Sequence, residues 1–153
     1  MDFAALGLSA PQDISARMEL INSVGEFVYD KDGEVGWIEF WGPDAEPSRQ
    51  YKRQVEREIY IKTQKEKRNG VKVPTAIEAD REIDETYSYL VEAVANRVKN
   101  WRIVNDKGEV VDLPCTIENI RAFFSHPGHE YLRKAALDFC ADPENFFKRK
   151  QSA

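Results

Sequence analysis

Phe40-Trp41-Gly42-Pro43-Asp44-Ala45-Glu46-Pro47 divides this chain into two kinds of sequence. Before it, residues 34–40 read Glu-Val-Gly-Trp-Ile-Glu-Phe, an extended pattern of β-branched and aromatic residues. After it, residues 48–68 contain neither Gly nor Pro and read as a helix. Gly42-Pro43 ends the strand, and Asp44 is the expected N-cap, accepting orphan backbone N–H groups of the helix. Alternation along the strand puts Trp37 and Trp41 on one face and Phe40 on the other.

Working back from the junction, Asp30-Lys31-Asp32-Gly33 is the strongest turn signal, because Gly readily takes a positive φ. Residues 17–22, 26–29 and 34–40 read as three short strands, which predicts an antiparallel β-meander over 17–41. A sheet this small needs a cover for its apolar face. Residues 1–15 read as a loosely held N-terminal arm.

Working forward, the first helix has Tyr51, Val55 and Ile59 on a narrow apolar stripe and a net charge of +5 over residues 48–68. Asn69-Gly70 stops it, and Val71-Lys72-Val73-Pro74 forms an irregular link. A second helix is expected over 75–100, with Ile77, Ile83, Tyr87, Leu90, Val91, Val94 and Val98 as apolar positions. Its first part is acidic, six carboxylates against Arg81. Two readings of this opposition stand: an antiparallel pair whose charges complement each other, or faces that await a partner. Residues 101–114 read as a connector or hairpin around Asn105-Asp106-Lys107-Gly108. Thr116 then caps a helix that ends at His126-Pro127-Gly128, and a last helix covers 129–141. The domain plan is a single α+β domain over 16–147, with its meander at 17–41 and its helical part at 44–147, followed by a basic tail at 148–153. The fold class is α+β, a small N-terminal antiparallel sheet followed by a mainly helical region.

Composition fits one modest core. The 153 residues are 42% hydrophobic and 32% charged, with three Trp, six Tyr and eight Phe. No apolar run approaches the ~20 residues needed to span a bilayer, so no membrane association is expected. The net charge of −5 makes no case for nucleic acid, and the basic face of the first helix lacks the interleaved aromatics that stack on bases. Cys115 and Cys140 suit a reducing compartment as free, largely buried thiols.

Catalytic patterns are scarce. His126 and His129 stand beside Glu130, with Cys140 further on, but Pro127-Gly128 separates the histidines and a zinc site wants three or four ligands on a rigid frame. Cys115 has no local base to activate it. Neither a phosphate-cradling Gly-rich loop nor a His-Glu-x-x-His or Gly-x-Ser-x-Gly motif is present. No enzyme, cofactor or metal is expected. Aromatics instead mark candidate contact surfaces: Trp37 and Trp41 on the last strand, and Phe146-Phe147 beside the basic end. The alternative for each ring is a place in the core.

Several short motifs carry a family resemblance. The Gly42-Pro43-Asp44 junction leads from a β-run into a charged helix. Trp101 is followed by a short insert and Gly108-Glu109-Val110-Val111. Thr116-Ile117-Glu118-Asn119 opens a helix, and Asp142-Pro143-Glu144-Asn145-Phe146-Phe147 lies near the end. Together they resemble the tail assembly chaperones of long-tailed bacteriophages over about residues 18–147; Ala45 departs from the Ser those proteins often carry. The resemblance implies a non-catalytic factor in the host bacterial cytoplasm that self-associates. Such a factor binds the tape-measure protein, keeps that long helical chain soluble, and recruits the tail-tube protein to it. It also implies a longer form made by ribosomal slippage, for which codons of Asn145-Phe146-Phe147 are a candidate site. The partner-contact residues expected on this reading are Trp37, Trp41, Phe146 and Phe147, with Arg53 and Arg57 as charged support. The rival readings are a structural or adaptor subunit retained in the phage particle, and a small enzyme or metal protein using His126, His129 and a cysteine.

Overall fold

In the computed structural model, residues 2–70 and 73–147 are described. The strand before the junction is β2 (Trp37–Trp41), and it forms the centre of a three-stranded antiparallel sheet. One neighbour is β1 (Ser15–Glu19), in the register Ser15↔Trp41 through Glu19↔Trp37. The other is β3 (Val98–Arg102), which pairs Ile38 with Trp101 and shifts register by a bulge between Glu39 and Phe40. The class is α+β as read from the sequence, but the third strand is a different segment. Residues 26–29 make only isolated bridges, Ile21↔Phe27 and Tyr29↔Val35. They sit in an excursion where Leu20, Val28 and Gly36 bond one another through the backbone. The Asp30–Gly33 turn closes this excursion as expected, with Gly33 at φ 80°. Asp30 Oδ1 accepts from the N–H groups of Asp32 and Glu34 at 2.8 and 2.9 Å. Its other carboxylate oxygen binds Arg102 on β3, and that hydrogen bond holds the Asp30 carboxyl below the usual carboxylate range.

The helix α1 (Glu46–Asn69) starts one residue later than a cap at Asp44 would give. Ala45 is the N-cap and makes no side-chain bond. The start is held instead by Pro47, whose φ suits a first turn, and by the buried Ser48 hydroxyl, which donates to Gly42 O at 2.8 Å. The helix α2 (Ala76–Ala95) opens with a capping box between Thr75 and Glu78 and ends at Ala95 rather than at residue 100. Residues 98–102 leave the helix because β2 offers them an open edge, where Trp101 is buried and its Nε1 donates to Leu113 O at 2.7 Å. Two further helices follow, α3 (Ile117–Ser125), capped by Thr116, and α4 (Glu130–Ala141). In the connector between β3 and α3, Val104 and Val110 bridge across the Asn105–Gly108 turn.

One core joins these parts. Met18, Leu20, Ile38, Phe40 and Trp101 on the inner sheet face meet Val91 and Val94 of α2, Ile120 and Phe124 of α3, and Leu132 and Ala136 of α4. α2, α3 and α4 pack on one another, whereas α1 packs broadly on none of them. The N-terminal arm is shorter than residues 1–15. Ile14 O accepts from Gly42 N at 2.8 Å and Ser15 opens β1, so only residues up to about 13 stay fully exposed.

Candidate partner-binding surface

β2 presents two unlike faces. Ile38 and Phe40 are wholly buried, while Trp37, Glu39 and Trp41 are half-buried on the side turned away from the helical core. Each outward indole is paired with a cation from a flanking strand. The Arg17 guanidinium carbon lies 3.8 Å from the Trp37 ring centroid, and Lys99 Nζ lies 4.5 Å from that of Trp41. Between the rings, Glu39 accepts from Ser15 Oγ at 2.6 Å and faces Lys99 at 4.0 Å. The outer sheet face therefore offers flat aromatic area at low conformational cost, edged by charges of both signs. That composition suits protein contact.

Trp41 is fixed from beneath by Arg97. Its guanidinium donates to Trp41 O at 3.1 and 2.9 Å and to Cys140 O at 3.0 Å, and it lies over the Phe146 ring. Phe146 itself is only 3% exposed and packs edge-on against Phe139 at 5.6 Å. It is a core residue, not the contact surface expected of a frayed end. Burying it removes a large apolar ring from water, and the short 3-10 turn Pro143–Asn145 aims it inward. Phe147 is half-buried against the same core. The basic segment 148–153 lies outside the described residues, as do Val71 and Lys72 of the link.

Arg53 and Arg57 are exposed on α1, an element apart from the sheet, so the six expected residues do not form one patch. The sheet cations Arg17 and Lys99 and the Arg97 clamp were missed. Their pairing depends on strand register, which leaves no local signal.

The second unusual surface is the arm formed by α1 and α2. At its root Tyr51 donates to Tyr89 O at 3.1 Å, and Arg121 of α3 bonds Glu92 at 2.6 and 3.2 Å. Burial, then the charges of Glu92 and Glu58, pushes the Tyr51 hydroxyl up to about 12. Beyond the root the cover stops. Ile59 is 60% exposed, Ile77 75% and Ile83 53%, while Tyr87, 47% exposed, still has the Arg133 guanidinium of α4 over its ring. Among the described residues no ion pair joins α1 to α2, so the charge complementarity expected between facing helices is not realised inside the chain.

The histidines have local tasks. His126 Nδ1 accepts from Gly128 N at 3.1 Å, and His129 Nδ1 bonds Phe123 O at 2.7 Å. Among the described residues no group of three or more His, Cys, Asp or Glu side chains is placed to hold a metal ion, and no helix is long and apolar enough to cross a membrane. Cys115 and Cys140 are unpaired, and burial pushes both thiols up, Cys140 to about 11. Compared with protein-family models, curated proteins and solved structures, the chain matches none of them.

Proposed function

We propose that this protein is a non-catalytic tail assembly chaperone of a long-tailed phage. It binds the tape-measure protein in the host cytoplasm, keeps that chain soluble and recruits tail-tube subunits to it. The observation that carries the reading is the outer sheet face. Trp37 and Trp41 lie half-buried there, each with a cation, Arg17 or Lys99, over its ring, on a sheet face suited to receive one side of an amphipathic helix. Contacts of this kind are individually weak, which suits a factor that must later leave. The motifs at Gly42-Pro43-Asp44, Thr116–Asn119 and Asn145-Phe146-Phe147 supply the phage assignment by resemblance.

Co-expression with the long tape-measure chain of the same phage, followed by sedimentation and pull-down, tests the proposal. The expected result is a soluble, co-purifying client, with retention lost when Trp37 and Trp41 are both changed to Ala. An insoluble, unbound client beside abundant folded protein overturns it. Finding the protein in purified particles would instead favour a retained structural subunit.

A further inference from the structure

We infer that the α1–α2 arm is a self-association surface, and that a second copy of this chain covers it by laying its α2 against α1 and its α1 against α2. This pairing does not depend on the chaperone reading, because it uses none of the sheet-face residues.

The first observation is that the buried stripe of α2 does not end where the core ends. Val94 and Val91 are buried, and the same helical face continues outward through Tyr87 and Ile83, both about half exposed. On α1 the stripe runs from half-buried Tyr51 and Val55 to exposed Ile59. Apolar positions in register with a core, but beyond its reach, are what a helix carries when something outside the chain completes its packing.

The occupant follows from charge. α1 as formed carries eight basic and four acidic residues, net +4, and α2 carries one basic and six acidic, net −5. The segregation persists far from the root, with Lys62, Lys65, Lys67 and Arg68 on one helix and Asp80, Glu82, Asp84 and Glu85 on the other. A foreign helix of either sign would be drawn to one helix of the arm and repelled by its neighbour. A second copy related by a two-fold axis satisfies both at once, because each basic helix meets an acidic one. The absence of ion pairs between α1 and α2 of one chain, among the described residues, leaves these charges free for the partner.

Charge reversal tests the geometry. An acidic-arm variant carries Lys62→Glu and Lys65→Glu, which takes α1 from net +4 to 0 and places negative charge on its outer turns. A basic-arm variant carries Glu82→Lys and Asp84→Lys, which removes the acidic character of α2. All four positions are exposed, and circular dichroism checks that each variant is folded. Sedimentation equilibrium of the full chain should give a dimer that weakens with salt, and each variant alone should associate roughly tenfold or more weakly. Mixing the two variants should restore association as a heterodimer, since the new glutamates on one α1 face the new lysines on the other's α2, and the unaltered basic α1 meets the unaltered acidic α2. Trp37→Ala with Trp41→Ala should leave the dimer intact, which separates failure of this inference from failure of the proposed function. A monomeric wild-type chain, a dimer indifferent to both reversals, or a mixture of folded variants that stays monomeric overturns the pairing.

Discussion

Replacing Gly42 with Ala puts one methyl group at the point where the sheet hands over to α1. The added Cβ would stand 2.6 Å from Ile14 Cγ2 and 3.1 Å from Ile14 O. Gly42 is not among the glycines with positive φ, so alanine meets no backbone penalty there. On backbone grounds alone the change should stabilise by about 0.4–1 kcal/mol, through a less flexible unfolded chain. The clash opposes this. Ile14 cannot retreat freely, because its carbonyl accepts from Gly42 N at 2.8 Å and the next residue enters β1. Overpacking of this kind costs about 1–3 kcal/mol, so the net expectation is a loss of about 1–2 kcal/mol. For a chain of this size the melting temperature should fall by roughly 3–6 °C. Urea unfolding followed by tryptophan fluorescence measures it, and Ile14→Ala supplies the internal check. With the methyl gone, Gly42→Ala should cost less than it does in the wild type, a non-additivity of about 1 kcal/mol. A Gly42→Ala protein as stable as the wild type, or strict additivity with Ile14→Ala, would refute the close approach at the junction.

Phe146→Ala should cost about 3–4 kcal/mol in the same unfolding assay, as for other buried Phe truncations, whereas Trp41→Ala on the outer face should cost less than half of that. Cys140 should react with a thiol reagent at pH 8 at least ~10-fold more slowly than in the urea-unfolded chain. Its pKa is raised from an ordinary value near 9 to about 11, so its share of stability is complete below about pH 9 and lost between about 9 and 11. The urea midpoint should therefore fall less between pH 8.5 and 10.5 in Cys140→Ala than in the wild type. Thr75→Ala removes the hydroxyl that accepts from Glu78 N, the side-chain half of the α2 capping box, worth about 1 kcal/mol locally. Amide exchange should speed up in the first turn of α2 while the global unfolding midpoint barely moves, because that turn is exposed and outside the core.

Local chemistry made much of this fold readable. The Asp30–Gly33 turn, the alternation that buries Ile38 and Phe40 and turns Trp37 and Trp41 outward, and the Thr116 cap each depend on residues a few positions apart. β3 was unreadable for the opposite reason. Val91, Val94 and Val98 keep a helical spacing, and residues 98–102 become a strand only because the edge of β2, far away in sequence, is free to pair with them. The same distance hid Arg17 and Lys99 over the indoles and Arg97 over Phe146. Phe146-Phe147 resembled an exposed end because nothing beside it in sequence announces that Phe139 will cover it. Of the candidate site, the two tryptophans were legible and their setting was not.

The two uncovered surfaces differ in rigidity, and that difference fits different tasks. The sheet face is held from below by Arg97, which ties the Trp41 carbonyl to Cys140, and from the sides by the Arg102–Asp30 pair and the Glu39–Ser15 bond. A partner meeting Trp37 and Trp41 encounters rings already oriented by cations and strands, so little ordering is needed on contact. In the arm, beyond Tyr51, Tyr89 and Glu58, no ion pair joins α1 to α2 among the described residues. Its outer turns rest on helix propensity and the Thr75 cap, and isolated helices of this length are marginal in water. A surface that gains order when its counterpart arrives suits reversible self-pairing, whereas a fixed surface suits repeated docking along an extended client. Joined in one chain, a pairing arm would set two fixed faces side by side and raise the effective concentration of the second once the first has bound. Weak contacts at each indole pair would then suffice to hold a long helix in solution.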